Sequence, residues 1–223
     1  MPTCWIVYTN YTMSDVKLIC FDLDKTLIKE NSWYELNLAL GISKEDDEVL
    51  FHQYKNKEIS YDEWNNILLE KYKASGKATR QHITVALSKY SYRRGVQEVI
   101  AYLKDKDYKI GLISGSIDIL VNMIAEELGI DLFEANSTFV FDDNDCLVNI
   151  INTGDNAFGK LKLLEDVAEK MGIGLDECAC IGDGDNDIEM FKATGRGITF
   201  KGSHIEEDAW KVIGGLVDLK EIF

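Results

Sequence analysis

Proline is nearly missing from this 223-residue sequence, with a single one at position 2, and histidine (three) and arginine (four) are scarce. Each shortage removes a class of protein. With no proline-rich or low-complexity tract, there is no stiff linker to hold several domains apart. The five cysteines, Cys4, Cys20, Cys146, Cys178 and Cys180, form no C-x-x-C pair, which argues against a zinc ribbon or a disulfide framework. Reduced, buried thiols of a cytoplasmic protein are the expectation, with Cys178 and Cys180 in the core. His52, His82 and His204 lack metal-ligand spacing and suggest no Ser-His-Asp arrangement, so they read as surface or packing residues. No apolar run approaches the roughly 18 residues of a membrane span, and no basic start with a long apolar stretch marks a signal peptide. Positive charge is short as well, 24 basic against 39 acidic residues, for a net charge of -15. That field repels nucleic acid and anionic membranes, and it admits a small anion only where a local cation offsets it.

What is present is a chain long enough for one sizeable core with an elaboration. Apolar residues from Val16 to Phe21 read as a strand buried on both faces. From Ser32 to about Tyr90 the apolar period is helical, with Trp33, Leu36 and Leu40, then Tyr61, Trp64, Ile67 and Leu68, at three- and four-residue spacing. This stretch is too long for an ordinary connection. Helix 94–105, strand Tyr108 to Ile113 and helix Ile117 to Leu128 follow. A hairpin (Ser137 to Phe141, Cys146 to Ile151), helix 159–171, strand Cys178 to Ile181, helix Ile188 to Ala193 and strand Gly197 to Phe200 complete the chain. The alternation predicts an α/β fold, a doubly wound parallel sheet with an inserted all-helical block and a small β-hairpin. Residues 13–30 and 94–223 are the expected core and 31–93 the helical insertion. Residues 1–12, MPTCWIVYTNYT, are expected to be an N-terminal extension or an added edge strand.

In open α/β sheets, ligands gather beyond the carboxyl ends of the strands. Four such places carry polar residues: Asp22-Leu23-Asp24-Lys25-Thr26, Ser114-Gly115-Ser116, Lys160 near the start of its helix, and the GDGDND stretch 182–187. If these ends converge, Asp22, Asp24, Asp183 and Asp187 crowd one crevice, and like charges at close range need a cation. A hard divalent ion with oxygen ligands answers this, magnesium where a phosphate is also held, and Lys160 adds a second positive charge. Ser114 and the backbone amides around Gly115 and Ser116, placed at a helix start, supply donors for phosphate oxygens. In D-x-D, one carboxylate is placed to attack phosphorus and the other to serve the leaving group. An EF-hand reading of GDGDND fails, because its sixth position is Ile188 and its twelfth Thr194. Asp185 reads as a solvated loop carboxylate.

These motifs, in this order, resemble the haloacid dehalogenase superfamily: DLDKT, the serine of LISGS, Lys160 and GDGDND. The helical block after the first motif, with SGSIDILV and GDGDNDIEMF, is similar to the phosphoserine phosphatase-like branch, in which such a block is a cap. The resemblance implies that Asp22 is the nucleophile and Asp24 the general acid/base. It implies magnesium on the Asp22 carboxylate, the Asp24 carbonyl and Asp183. Ser114, Gly115 and Lys160 would hold the phosphoryl group, with Thr26, Asn186 and Asp187 in support. The implied activity is magnesium-dependent phosphomonoester hydrolysis through a phosphoaspartate, on a small molecule rather than nucleic acid or membrane. The cap departs from that branch: Asn31 stands where it has a glutamate, and Leu68 where it has a substrate-binding arginine. Trp33, Tyr61, Trp64 and Tyr72 either pack the cap helices or shape an apolar or cation-accepting pocket. A phosphotransferase on the same fold, a phosphoacceptor signalling domain and a non-catalytic binding protein are the alternatives; the second needs only about half this length, with its acceptor aspartate on a later strand and no helical block after the first, and the complete motif set argues against the third.

Overall fold

The computed structural model describes residues 16–154 and 156–223, so the expected extension at 1–12 lies outside the described residues. Four consecutive apolar residues, Leu18–Phe21, form β1, and all four are buried. Their alternation sorts them to opposite faces of the sheet. Ile19 and Phe21 pack with Val99 and Leu103 of α5 (Val96–Asp105) and Ile124 of α6 (Asp118–Leu128). Leu18 and Cys20 pack with Leu164 and Val167 of α7 (Asn156–Met171) and Phe191 of α8 (Ile188–Thr194). Cys178 and Cys180 join that second cluster, as expected of core cysteines.

The other strands are β2 (Lys109–Ile117), β3 (Leu132–Phe141), β4 (Leu147–Asn152), β5 (Cys178–Ile181), β6 (Gly197–Phe200) and β7 (Lys211–Ile213). One seven-stranded sheet results, ordered β4-β3-β2-β1-β5-β6-β7, parallel throughout except for the β3–β4 hairpin. The chain winds outward from β1 through β2 and β3, then returns to β5 on the other side. The crevice beyond the carboxyl ends of β1 and β5 is therefore the topological switch point.

Three elements differ from expectation. β2 continues through Ser114-Gly115-Ser116 to Ile117, because β3 begins at Leu132 and pairs alongside it, with a register shift between Ser114 and Ile117. Those residues therefore belong to a bulged strand end rather than to a helix start, and α6 opens only at Asp118. α7 begins at Asn156, placing Lys160 inside the helix. The three-residue β7 is too short to leave a period in the sequence.

Between β1 and α5 the chain forms α1 (Ser32–Ala39), α2 (Lys44–Lys55), α3 (Tyr61–Ala74) and α4 (Arg80–Leu87). Asn31, Ser43, Ser60 and Thr79 cap these helices with side-chain oxygens, and Ser60 completes a capping box with Glu63. The two legs of this segment are paired: Ile28 bridges Tyr92, Lys29 N–H donates to Ser91 O at 3.0 Å, and Arg93 N–H donates to Leu27 O at 2.8 Å. At its far end, Arg80 meets the hairpin carboxylate Asp145 at 2.9 Å.

Candidate active site

The loop after β1 is tied to the neighbouring strand, since Asp22 N–H donates to Ile181 O at 2.8 Å. The turn then closes on one carbonyl: Leu23 O accepts from Thr26, Leu27 and Ile28 at 3.2, 2.9 and 3.1 Å. Lys25 takes a left-handed conformation (φ 55°) to make that turn, an uncommon state for a side chain of this size. The result places the Asp22 and Asp24 carboxyls in the crevice in different surroundings.

Asp22 is buried and ion-paired: Lys160 Nζ lies 2.6 Å from its Oδ1 and 2.7 Å from Asp187 Oδ1. Lys160 and Asp187 are wholly buried. Burial alone pulls the lysine down, but the two carboxylates outweigh it and hold the ammonium above its ordinary value. Burial pushes Asp22 up, against the pull of Lys160. Asp187 is spent structurally, because its other oxygen accepts the amides of Asp183 and Gly184 at 3.0 and 3.1 Å. Gly182 must lack a side chain here, since a Cβ would sit 2.3 Å from the Asp187 carboxyl carbon. Thr26 Oγ1 reaches Asp22 Oδ2 only at 3.5 Å.

Asp24 is held by other partners, and Lys160 acts on it only through space. Its Oδ2 accepts from Ser32 N–H (3.1 Å) and Ser32 Oγ–H (2.7 Å), while Oδ1 is cut off from solvent without a partner. Burial therefore raises this carboxyl to about 6, with the Ser32 hydrogen bonds pulling the other way. Ser32 Oγ lies 2.5 Å from Ser116 Oγ, whose amide donates to Ser114 Oγ at 3.0 Å. Trp33 Nε1–H donates to Gly115 O at 3.0 Å. The start of α1 is thus bonded to both Asp24 and the end of β2.

Above the crevice lies a cavity of about 860 Å³, within the range of small-molecule sites. Asp22, Asp24, Ser114, Gly115, Asp183 and Asn186 line its floor; Thr26, Lys160 and Asp187 stand behind them and do not line it. Trp33, Phe51, Tyr54, Tyr61, Trp64 and Leu68 line its roof. Tyr72 does not, being fully buried with its hydroxyl on Asn37.

The floor suits a hard cation. One carboxylate oxygen each from Asp22, Asp183 and Asp187 lie within 4.8 Å of one another, and Lys160 is the buried cation among these carboxylates. Nearby oxygens without soft donors fit a divalent ion of the magnesium or calcium type. Asp187 is occupied by Lys160 and two amides, which leaves Asp22 and Asp183 as the available side-chain donors.

Several participants escaped the sequence reading. Ser32 and the Ser116 hydroxyl were missed because their roles depend on α1 docking against β2; at Ser116 only the backbone amide was expected to act. Asp185 is not merely solvated: it bridges Lys55 Nζ of α2 and His204 Nε2, both at 2.7 Å, joining the helical segment to the GDGDND loop. His204 lines the same cavity.

Comparison with known proteins agrees with this geometry. The family described as haloacid dehalogenase-like hydrolase matches residues 16–195. The phosphoserine phosphatase of Methanocaldococcus jannaschii is 30% identical over 92% of this chain and 95% of its own; that of Streptococcus thermophilus is 29% identical over 90% and 96%. Among solved structures, a phospho-aspartyl intermediate analogue of phosphoserine phosphatase superimposes with a TM-score of 0.77 at 26% identity, covering 93% of this chain and 99% of the other. A substrate-bound phosphoserine phosphatase complex gives 0.75 at 27%, covering 93% and 96%. Among the described residues no helix is long and apolar enough to cross a membrane. With its sheet order, its three motif-bearing strand ends, Lys160 of α7 beside them and these relatives in agreement, the chain belongs to the haloacid dehalogenase-like hydrolases, in their phosphoserine phosphatase-like branch.

Proposed function

We propose that this phosphatase hydrolyses small phosphomonoesters with magnesium as its cofactor, through a phosphoaspartate on Asp22. One observation carries the assignment of roles: the two carboxyls of one crevice have different partners, Asp22 the buried ammonium of Lys160 at 2.6 Å and Asp24 the amide and hydroxyl of Ser32. Burial raises both, Asp24 to about 6, but only at Asp22 does a paired ammonium oppose it and favour the ionised form that attacks. Asp22 attacks phosphorus, forming an acyl phosphate as the bond to the leaving oxygen breaks. Protonated Asp24, aimed by Ser32, gives its proton to that oxygen, so the alcohol leaves neutral. Asp24 then takes a proton from a water that attacks the acyl phosphate, releasing phosphate and restoring Asp22. Ser114 and the Gly115 backbone orient the phosphoryl oxygens, Lys160 opposes the effect of burial on Asp22, Thr26 steadies the loop, and Asp187 fixes Lys160. Magnesium, held by the Asp22 and Asp183 carboxylates and the Asp24 carbonyl with Asn186 in support, would neutralise the charge gathered between protein and phosphate.

Residues 13–30 and 94–223 serve in this reading as the catalytic core and 31–93 as a cap, a division supported by the paired legs at Ile28 and Tyr92. Cys20, Cys178 and Cys180 are free and core-packed, whereas Cys146, expected to be buried, is exposed because it sits in the turn of the β3–β4 hairpin; the free thiols and the net negative charge suit a cytoplasmic enzyme of small-molecule metabolism. Phosphoserine is not carried over from the relatives as the preferred substrate, because Leu68, buried in the roof, offers nothing to a carboxylate. The direct test is Asp22→Asn assayed on p-nitrophenyl phosphate with magnesium. A loss on the order of 10⁴ or more is expected for a covalent nucleophile; full activity would remove the phosphoaspartate.

A further inference from the structure

The roof of the cavity is built from two helix faces. In α2, Asp47, Phe51 and Tyr54 follow i, i+4, i+7 spacing, and in α3, Tyr61, Trp64 and Leu68 follow i, i+3, i+7; all six line the cavity. The four rings form one cluster: centroids lie 5.1 Å apart for Tyr54–Trp64, 5.7 Å for Tyr54–Tyr61, and 6.2 Å for both Tyr61–Trp64 and Phe51–Trp64. Packing α2 on α3 explains why the rings touch. It does not explain why the cluster faces the cavity or why Phe51 keeps 43% of its surface exposed.

Charge on this half of the cavity is negative. Glu30, Glu35 and Asp47 line it. Asp47 is held by a buried relay in which Tyr72 donates to Asn37 Oδ1 and Asn37 Nδ2 donates to Asp47 Oδ1 at 2.5 Å. Of the lining lysines, Lys55 is paired with Asp185 at 2.7 Å and lies 5.8 Å from the Phe51 ring centroid, at the edge of the cluster, while Lys25 and Lys29 extend from the loop after β1. No arginine lines the cavity. Arg80 is paired with Asp145, Arg93 stacks on Phe200, Arg196 is buried against the Asp176 carbonyl, and Arg94 is exposed elsewhere.

We propose that the alcohol half of the substrate carries an ammonium cation, received at the roof by the Phe51–Tyr54–Tyr61–Trp64 ring cluster and the Asp47 carboxylate. Ring faces attract such a cation through their quadrupoles, most strongly for indole and for a desolvated quaternary ammonium. A carboxylate-bearing alcohol meets excess negative charge and no guanidinium. The proposal rests on the phosphatase reading above and specifies its substrate class.

Phosphocholine and its neutral isostere 3,3-dimethylbutyl phosphate differ only in the charge at one centre, so the ratio of their kcat/KM values isolates the cation. In the wild-type chain with magnesium that ratio is expected to be about tenfold or more, a factor in keeping with a partly desolvated cation–π contact plus a carboxylate. In Asp47→Asn, an isosteric change, and in Tyr61→Leu it should fall toward one. Phosphoethanolamine, as a third ester, distinguishes a primary from a quaternary ammonium; preference for either over the isostere supports the proposal. A wild-type ratio near one, or phosphoserine preferred over both cationic esters, overturns it while p-nitrophenyl phosphate hydrolysis leaves the phosphatase reading standing. Tryptophan fluorescence of the Asp22→Asn chain titrated with choline and with 3,3-dimethylbutanol needs no turnover. Quenching by choline at lower concentration is expected, and equal or absent responses overturn the proposal even if no ester is hydrolysed.

Discussion

On the floor of the cavity, Lys160 has no exposed surface and is held by two carboxylates at 2.6 and 2.7 Å. On the roof, Phe51 is 43% exposed, and the rings around it are fixed by touching one another. The floor is a set of compensated charges in a dry place, where each group is fixed by a partner of opposite sign. Removing one partner strands another, so changes there should be costly and coupled. The roof is held by helix caps and ring contacts, each of which contributes about 1 kcal/mol. Changes there should be cheap for folding and expensive only for the choice of substrate. On the proposed reading, bond making and substrate selection are separated in space.

The sharpest attempt to break this contrast is Lys160→Met, which keeps the volume and removes the charge. Asp22 and Asp187 are then buried without a cation, and a loss of about 3–5 kcal/mol in stability is expected at pH 7, as for other broken buried pairs. Activity should vanish with it. The sign with pH is fixed: burial already pushes Asp22 up and the variant loses the ammonium that opposes it, so the deficit is least at low pH, where that carboxyl is neutral, and grows as pH rises from 4 to 7. Urea unfolding across that range measures it. A pH-independent loss under 1 kcal/mol would show that the floor does not depend on charge compensation.

The same contrast explains how much could be read from the chain. Asp22, Asp24, Ser114, Lys160 and Asp183 stand at the ends of strands or in helices whose apolar runs are unmistakable, and parallel winding brings those ends to one edge. Their order along the sequence was therefore enough to place them together. Ser32 could not be found that way, because its partners Asp24 and Ser116 lie 8 and 84 residues away and meet it only once α1 docks. The Asp185 contacts with Lys55 and His204 span 130 and 19 residues and carry no periodic signal. Helical spacing showed that Tyr61, Trp64 and Tyr72 belong to one segment, yet only packing decides that two face the cavity and Tyr72 is buried against Asn37.

A second test asks whether the floor sacrifices stability for its acid. Asp24 is raised to about 6 by burial, above the ordinary carboxylate range. The folded state therefore binds the extra proton between roughly pH 4 and 6. Stability from this group is full at low pH and is lost as pH climbs through that window. In magnesium-free buffer, Asp24→Asn should gain about 1–2 kcal/mol at pH 7 relative to wild type and nothing below pH 4. Its phosphatase activity should fall about 10²- to 10⁴-fold, the usual contribution of a general acid. Thermal melts at pH 4 and 7 read the first effect and kcat the second; a variant less stable than wild type at pH 7 would mean that the Ser32 hydrogen bonds outweigh burial.

The smallest expected effect lies where floor and roof meet. Asp185 reaches across to Lys55 of α2 and to His204, and both ends of the Lys55 pair are about half exposed, at 46% and 55%. Exposed pairs of this kind contribute about 0–1 kcal/mol and are screened by salt. Lys55→Gln should therefore leave the melting temperature within about 2 °C of wild type, since 1 kcal/mol shifts a domain of this size by only a few degrees. The pair spans the contact between the helical segment and the GDGDND loop rather than a core, so its loss should appear in substrate binding rather than in stability. A two- to threefold rise in KM is expected at low ionic strength, shrinking as salt is added, because wild type loses the same interaction to screening. If KM is unchanged at low salt while Asp185→Asn raises it, the His204 contact carries the joint; if neither variant responds, the cap is seated by the Trp33 and Ser32 bonds of α1 alone, and roof and floor communicate through that helix.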